Sequence, residues 1–246
     1  MDHALYVGMT GAAQTLAAQA VVAQNLANVS TNGFRADQFE LTAAPISGPG
    51  YPTRVNTVAQ STGFSTASGA VGQTGAPLDV AVMGNGWLAV QAKDGSEAYT
   101  RAGDLHLTPD GALVTATGLP VLGDGGPISI PPADSISVGR DGTITIVPQG
   151  VGAKGAGPIA RLKLVNPPAA TLTKGTDGLV RLKSGASAES DSTVQVQGGA
   201  LETSNVNAPR AMVEMIELSR LFDMQTRLMN STDQNAQASQ KLLATS

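Results

Sequence analysis

Between residues 4 and 28 the apolar positions recur at alternating spacings of four and three. Leu5, Met9, Ala12, Leu16, Ala23 and Leu26 follow this rhythm, with Gln19 the one polar member. The spacing predicts a helix with a coiled-coil-like seam, roughly 37 Å long at 1.5 Å per residue. After Asp2 no formal charge occurs until Arg35, so this helix lacks the charged face of an ordinary surface helix. Gly8 and Gly11 leave room for a neighbouring helix to approach closely. Isolated helices of this length are marginal in water, and the segment is expected to be ordered by partners.

The other end repeats the pattern. Met215, Leu218, Phe222, Gln225 and Met229 keep the same alternation, and Thr232, Ala236, Ser239 and Leu243 continue it with more polar character. Asn207 suits a helix cap and Pro209 a first helical turn. A helix from about Pro209 to Leu243 follows.

Between the two ends the period changes from helical to strand-like. Residues 78–82, 87–90, 144–147, 162–165 and 194–197 are short apolar or alternating runs. Asn85-Gly86, Asp94-Gly95, Asp110-Gly111, Asp124-Gly125, Asp141-Gly142 and Asp177-Gly178 punctuate them. Such dipeptides supply the positive φ of tight hairpin turns. The expected fold class is therefore α+β. N- and C-terminal helices form a coiled-coil-like helical domain, and an antiparallel β-rich domain, barrel- or sandwich-like, is inserted between them. The boundaries read as residues 1–36 for the N-terminal helix, 37–76 for an extended Gly/Ser/Thr/Pro-rich connector, 77–203 for the β domain and 204–246 for the C-terminal helix.

Composition narrows the function. The net charge of -4 gives no basic field for nucleic acid. Cysteine is absent, which removes disulfides, thiolate catalysis and Cys-ligated metals. No stretch approaches the length of a membrane span, and the first residues carry no cleavable signal pattern. His3 and His106 are the only histidines, and neither stands at metal-ligand spacing from another. Asp94, Asp110, Asp124, Asp141 and Asp177 are accounted for by turn chemistry rather than by a calcium loop. No catalytic, cofactor or metal residue is expected. Thr31-Asn32-Gly33-Phe34 reads as a helix terminus, where Asn32 or Gly33 adopts left-handed φ and releases the chain.

The run Asn25-Leu26-Ala27-Asn28-Val29-Ser30-Thr31-Asn32-Gly33-Phe34 resembles the N-terminal Asn-Leu-Ala-Asn-x-x-Thr-x-Gly-Phe motif of the flagellar rod and hook family of bacterial axial proteins. Gln24 stands where many members carry a further Asn. The resemblance continues through Thr74 to Ala81, Gly84 to Trp87, Tyr99 to Asp104, and Leu201-Glu202-Thr203-Ser204-Asn205-Val206-Asn207. It spans essentially the whole chain in the family's order. It implies a structural subunit of the basal-body rod, nearest to a proximal-rod member, with a distal-rod member as the next candidate. It further implies export by the flagellar type III apparatus without a cleavable signal, residence in the rod within the periplasm, and no turnover of substrate. The implied partners are other copies of the chain and the neighbouring rod proteins, FlgB and FlgC of the proximal rod and FlgG of the distal rod. Within that picture Leu5, Met9, Leu16, Leu26, Met215, Leu218, Phe222 and Met229 are the assembly seams. A soluble β-rich ligand-binding module is the remaining alternative, and it would leave both termini dispensable.

Overall fold

The structure, a computed structural model, describes residues 4–45, 55–150 and 155–244. It has helices at both ends and a β-rich middle of antiparallel sheets. The chain divides into two compact units, one containing the terminal helices with residues 37–63, the other residues 28–36 and 64–206.

In the helical unit, α1 (Ala4–Ala27) packs against α2 (Ala208–Ala244). The α2 start is capped as its residues dictate. Asn207 Oδ1 accepts the Arg210 N–H at 3.0 Å, and its carbonyl accepts the Ala211 N–H at 3.0 Å. Pro209 sits in the first turn, where a missing N–H leaves no bond unmade. The helices run antiparallel, since Gly8 faces Met229 while Gly11 and Thr15 face Gln225. Contact is close because side chains are small: a Cβ at Gly8 would stand 2.9 Å from Met229 Cγ, and one at Gly11 3.1 Å from Gln225 Nε2.

The α2 seam residues Met215, Leu218, Phe222, Gln225, Met229 and Thr232 all lie on the half-buried or buried stripe of their helix. The buried stripe of α1 has a different phase. It runs through Gly8, Gly11, Ala12, Thr15, Ala18 and Val22. Leu5, Gln19 and Leu26 flank it half-buried, whereas Met9, Leu16 and Ala23 are exposed. The reason is that α1 is uncharged all round, so hydrophobicity gives its helix no phase. The glycines mark the close face. The Leu243 side chain and His3 lie outside the described residues.

The segment 37–76 is more structured than its composition suggests. It carries β1 (Asp37–Pro45), β2 (Val55–Phe64), which pairs with β1, and β3 (Val71–Gln73), which pairs with Ala200–Glu202. None of its described residues is buried, so the ladder has no apolar face to produce a period-two signal.

In the β unit the short apolar runs become strands. β4 (Val80–Met83) pairs antiparallel with Gln195–Gly198. β5 (Trp87–Gln91) and β6 (Glu97–Thr100) form the centre of a five-stranded sheet whose order is 164–165, β5, β6, 180–182, 172–174. Strands 133–138, 143–148 and 157–161 make a three-stranded sheet. The core between them is aliphatic, built around residues such as Val80, Leu88, Leu113, Ile144, Leu164 and Val196. Gly95, Gly111, Gly142 and Gly178 carry the positive φ expected of their Asp-Gly turns. At the other two sites the left-handed residue is Gly84 rather than Gly86 and Gly126 rather than Gly125.

Candidate assembly site

The front motif works by side-chain substitution for backbone. At the end of α1 the Asn25 carboxamide pairs with Asp37 as a neighbouring strand would. Its Oδ1 accepts the Asp37 N–H at 2.8 Å and its Nδ2 donates to the Asp37 carbonyl at 2.9 Å. Gln14, higher on the same helix, accepts the Ala59 N–H at 2.9 Å. Leu26 is half-buried and Ala27 exposed. These contacts hold β1 and β2 to the helical unit.

The rest of that motif belongs to the β unit. Thr31 closes a turn on Asn28, with Oγ1 to Oδ1 at 3.1 Å. Gly33 takes φ +67°, so it, not Asn32, is the left-handed residue. A Cβ there would stand 2.1 Å from the Arg101 carbonyl carbon, and the Gly33 N–H donates to the Glu202 carbonyl at 2.8 Å. Phe34 receives Lys174 Nζ over its ring at 3.9 Å. Glycine is thus required twice, by φ and by space.

The back motif meets the front one. Asn205 Oδ1 accepts the Ala36 N–H at 2.8 Å, its Nδ2 donates to the Ala67 carbonyl at 2.8 Å, and its own N–H donates to the Phe34 carbonyl at 3.2 Å. Ser204 is buried and its Oγ accepts the Val206 N–H at 3.2 Å. Val206 is half-buried and its successor Asn207 caps α2.

Composition and spacing did not reveal what lies beneath these turns. Glu202, 1% exposed, bridges two buried guanidinium groups. Its Oε1 lies 2.7 Å from Arg35 Nη1 and its Oε2 2.9 Å from Arg101 Nη1. Oε1 also accepts the Gly69 N–H at 2.8 Å. Arg101 further donates to the carbonyls of Val82, at 2.9 Å, and Gly84. Both guanidiniums stand over the Trp87 ring, Arg35 at 5.8 Å and Arg101 at 5.4 Å from its centroid. Burial pushes the Arg101 pKa down from its ordinary value, and the Glu202 carboxylate works against that shift. The cluster joins segments 33–36, 69, 82–87, 101 and 202. A charge among apolar neighbours was the available signal, but a lone Arg or Glu in a sequence does not announce its counter-ion.

Among the described residues these groups do not build a reaction centre. His106 is exposed on a two-stranded ladder. Asp94 and Asp141 cap their own turns, accepting from the hydroxyl and N–H of Ser96 and Thr143, and those bonds hold both carboxyls below the usual range. Among the described residues no three His, Asp or Glu side chains group as a metal site. No described helix is long and apolar enough to cross a membrane.

What remains exposed is apolar helix surface. On α1 it includes Tyr6, Met9 and Leu16, and on α2 Met212, Val213, Ile216, Met224 and Leu228.

Three family descriptions match successive parts of the chain. They are "Flagella basal body rod protein" over residues 5–35, "Flagellar hook protein FlgE/F/G D1 domain" over 81–146, and "Flagellar basal body rod FlgEFG protein C-terminal" over 197–242. The chain is 44% identical to the flagellar basal-body rod protein FlgF of Escherichia coli (strain K12), with all of both chains covered. It is 42% identical to that of Salmonella typhimurium (strain LT2), again over the full length of both. With the rod protein FlgG of Buchnera aphidicola subsp. Schizaphis graminum the identity is 31%, covering 96% of this chain and 98% of the relative.

Proposed function

The chain belongs to the FlgF family of flagellar basal-body rod proteins, and from that premise we propose that it occupies the proximal part of the rod and polymerises there through its terminal helices. It is a structural subunit of the basal body and not an enzyme. The preference for the proximal over the distal position rests on the 44% and 42% identity to the FlgF proteins of Escherichia coli and Salmonella typhimurium, while the FlgF and FlgG of one Buchnera strain stand level at 30% and 31%. The observation that carries the assembly reading is the apolar surface left on both helices. Five large apolar residues of α2 and three of α1 are exposed, more than a monomer needs to leave in water.

In this reading the terminal helices of successive copies pack in coiled-coil fashion as an inner tube, and the barrel- or sandwich-like β unit forms the outer shell. Torque then passes through repeated helix contacts. The neighbours are further copies of the chain, FlgB and FlgC on the proximal side and FlgG on the distal side. Export through the flagellar type III apparatus delivers the subunit unfolded to the rod in the periplasm. Asn25, Asn205 and the buried Arg35–Glu202–Arg101 cluster then act on arrival. They fix the chain segments that enter and leave each unit.

The test is a small tag inserted at the exposed Asp124-Gly125 turn, where a side chain on Gly125 would meet no atom within 4 Å. Purified basal bodies are gold-labelled and imaged. Label at the inner-membrane end of the rod supports the proximal position, and label along its outer portion moves the chain to the distal rod. Unlabelled basal bodies from a motile tagged strain reject the rod reading.

A further inference from the structure

The buried cluster of the β unit carries one more positive charge than negative. Glu202 answers both Arg35 and Arg101, and among the described residues no second carboxylate pairs with either guanidinium. Arg101 is 2% exposed, yet it does not use all of its donors. Its Nη1 bonds Glu202 and the Val82 carbonyl, its Nη2 bonds the Gly84 carbonyl, and its Nε has no partner. A buried donor left in this state is destabilising, so an acceptor brought to it is favoured.

Arg101 borders a cavity of about 200 Å³ that lies within the β unit. Part of the cavity wall is polar, with Thr66, Asn85 and Asn166 beside Arg101, and part is apolar, with Trp87, Pro167 and Leu172. At roughly 30 Å³ per water, the space exceeds what one bound water fills. Asn166 is engaged with Asp191, whose carboxylate Thr193 also holds, and Asp191 is not part of the wall.

We propose that this cavity binds a small monocarboxylate with a short apolar tail. Its single negative charge is the amount the cluster lacks. A carboxylate also suits the planar guanidinium, as Glu202 already demonstrates. Asn85, exposed on its turn, offers carboxamide donors to the same group. The tail lies against Trp87, Pro167 and Leu172, apolar wall that an inorganic ion would leave wet. Arg101 and Glu202 are 101 residues apart in the chain, so the unfolded chain holds no such site. The ligand therefore binds the folded β unit and stabilises it.

Trp87 is the chain's single tryptophan, and its fluorescence reports the cavity directly. Full-length protein is titrated with sodium butyrate while sodium chloride is adjusted to hold ionic strength. The expected result is a saturable change in emission, with a thermal midpoint of the β unit that rises over the same butyrate range. Asn85→Asp sets a fixed carboxylate in the wall and should weaken binding by roughly tenfold or more. Gly125→Asp adds the same charge where a new Cβ meets no atom within 4 Å, and it should bind butyrate as the parent does. An unsaturable response, or equal affinity in the parent and Asn85→Asp, overturns the proposal. Equal weakening by the two variants rejects it as well, since net charge alone would then govern the response. Inorganic phosphate that binds as tightly as butyrate rejects the carboxylate assignment, because the apolar wall would contribute nothing.

Discussion

Arg101 and Glu202 meet at 2.9 Å with each side chain at most 2% exposed, and they are 101 residues apart in the chain. The same carboxylate holds Arg35, so one acidic group balances two guanidiniums in a dry site. Attraction across such a pair is offset by the loss of water from both ions. The cluster therefore adds little as a pair, but it is costly to break.

Glu202→Gln leaves Arg35 and Arg101 buried without a counter-charge. The expected loss is about 3–5 kcal/mol for the β unit, read as a lower urea midpoint with an unchanged slope. Replacing all three residues by apolar side chains of similar volume should recover much of it. A Glu202→Gln protein as stable as the parent would show that water reaches the cluster.

Gly33→Ala tests backbone and space together. A left-handed φ on a residue with a Cβ costs about 1–2 kcal/mol, and here the new atom also meets the Arg101 carbonyl carbon at 2.1 Å. Gly118 separates the two effects, since its φ is +78° with nothing within 4 Å of a Cβ. Gly118→Ala should therefore cost only the conformational part, and Gly33→Ala distinctly more. Equal shifts in thermal midpoint would mean that the Arg101 backbone yields freely.

How much of this was legible beforehand depends on whether a residue speaks through its neighbours in sequence. The helices were readable from spacing, and Asn207 as a cap from its type alone. The stripe that α2 buries within the chain follows the spacing of Met215, Leu218, Phe222, Gln225 and Met229, because charged residues on the other side fix its phase, while Ala236 and Ser239 farther on are exposed. The stripe that α1 buries within the chain was not legible, because Met9 and Leu16 stand out by size while Gly8 and Gly11 do the packing. β1 and β2 escaped notice because neither buries a face. Glu202 was visible only as part of a motif, and its two partners, Arg35 and Arg101, lie too far away in sequence for any local pattern to connect them.

Tyr99 gives a pH prediction. Its phenol is pushed up to about 12, chiefly by burial; the Ala188 N–H it accepts at 2.7 Å works in the opposite direction, and Glu97 adds to the rise. The folded state thus holds the proton more tightly than the unfolded chain, whose Tyr titrates near 10. Stability from this group is complete below about pH 10 and is lost as pH rises through 12. Alkaline unfolding curves should show the parent falling across that interval. Tyr99→Phe should be weaker at neutral pH, because Ala188 N–H loses its acceptor, yet flatter between pH 10 and 12. Parallel curves for the two proteins would assign the alkaline limb to other groups.

Leu16→Asp separates assembly from folding better than Phe222→Asp. Phe222 is half-buried on the α2 stripe that faces α1, so a carboxylate there damages the chain's own helix pair as well as any contact with a neighbour. Leu16 is 49% exposed on the opposite side of α1, and an Asp in its place stays in water within the single chain. Between two copies it would be desolvated without a partner, at a cost of several kcal/mol. The expected phenotype is export at the normal level, an unchanged thermal transition of the β unit, absence from purified basal bodies and loss of swimming. Phe222→Asp should share the last two effects and also lose helicity by circular dichroism. Leu16→Asp protein found in basal bodies at the parental level would remove Leu16 from the assembly surface.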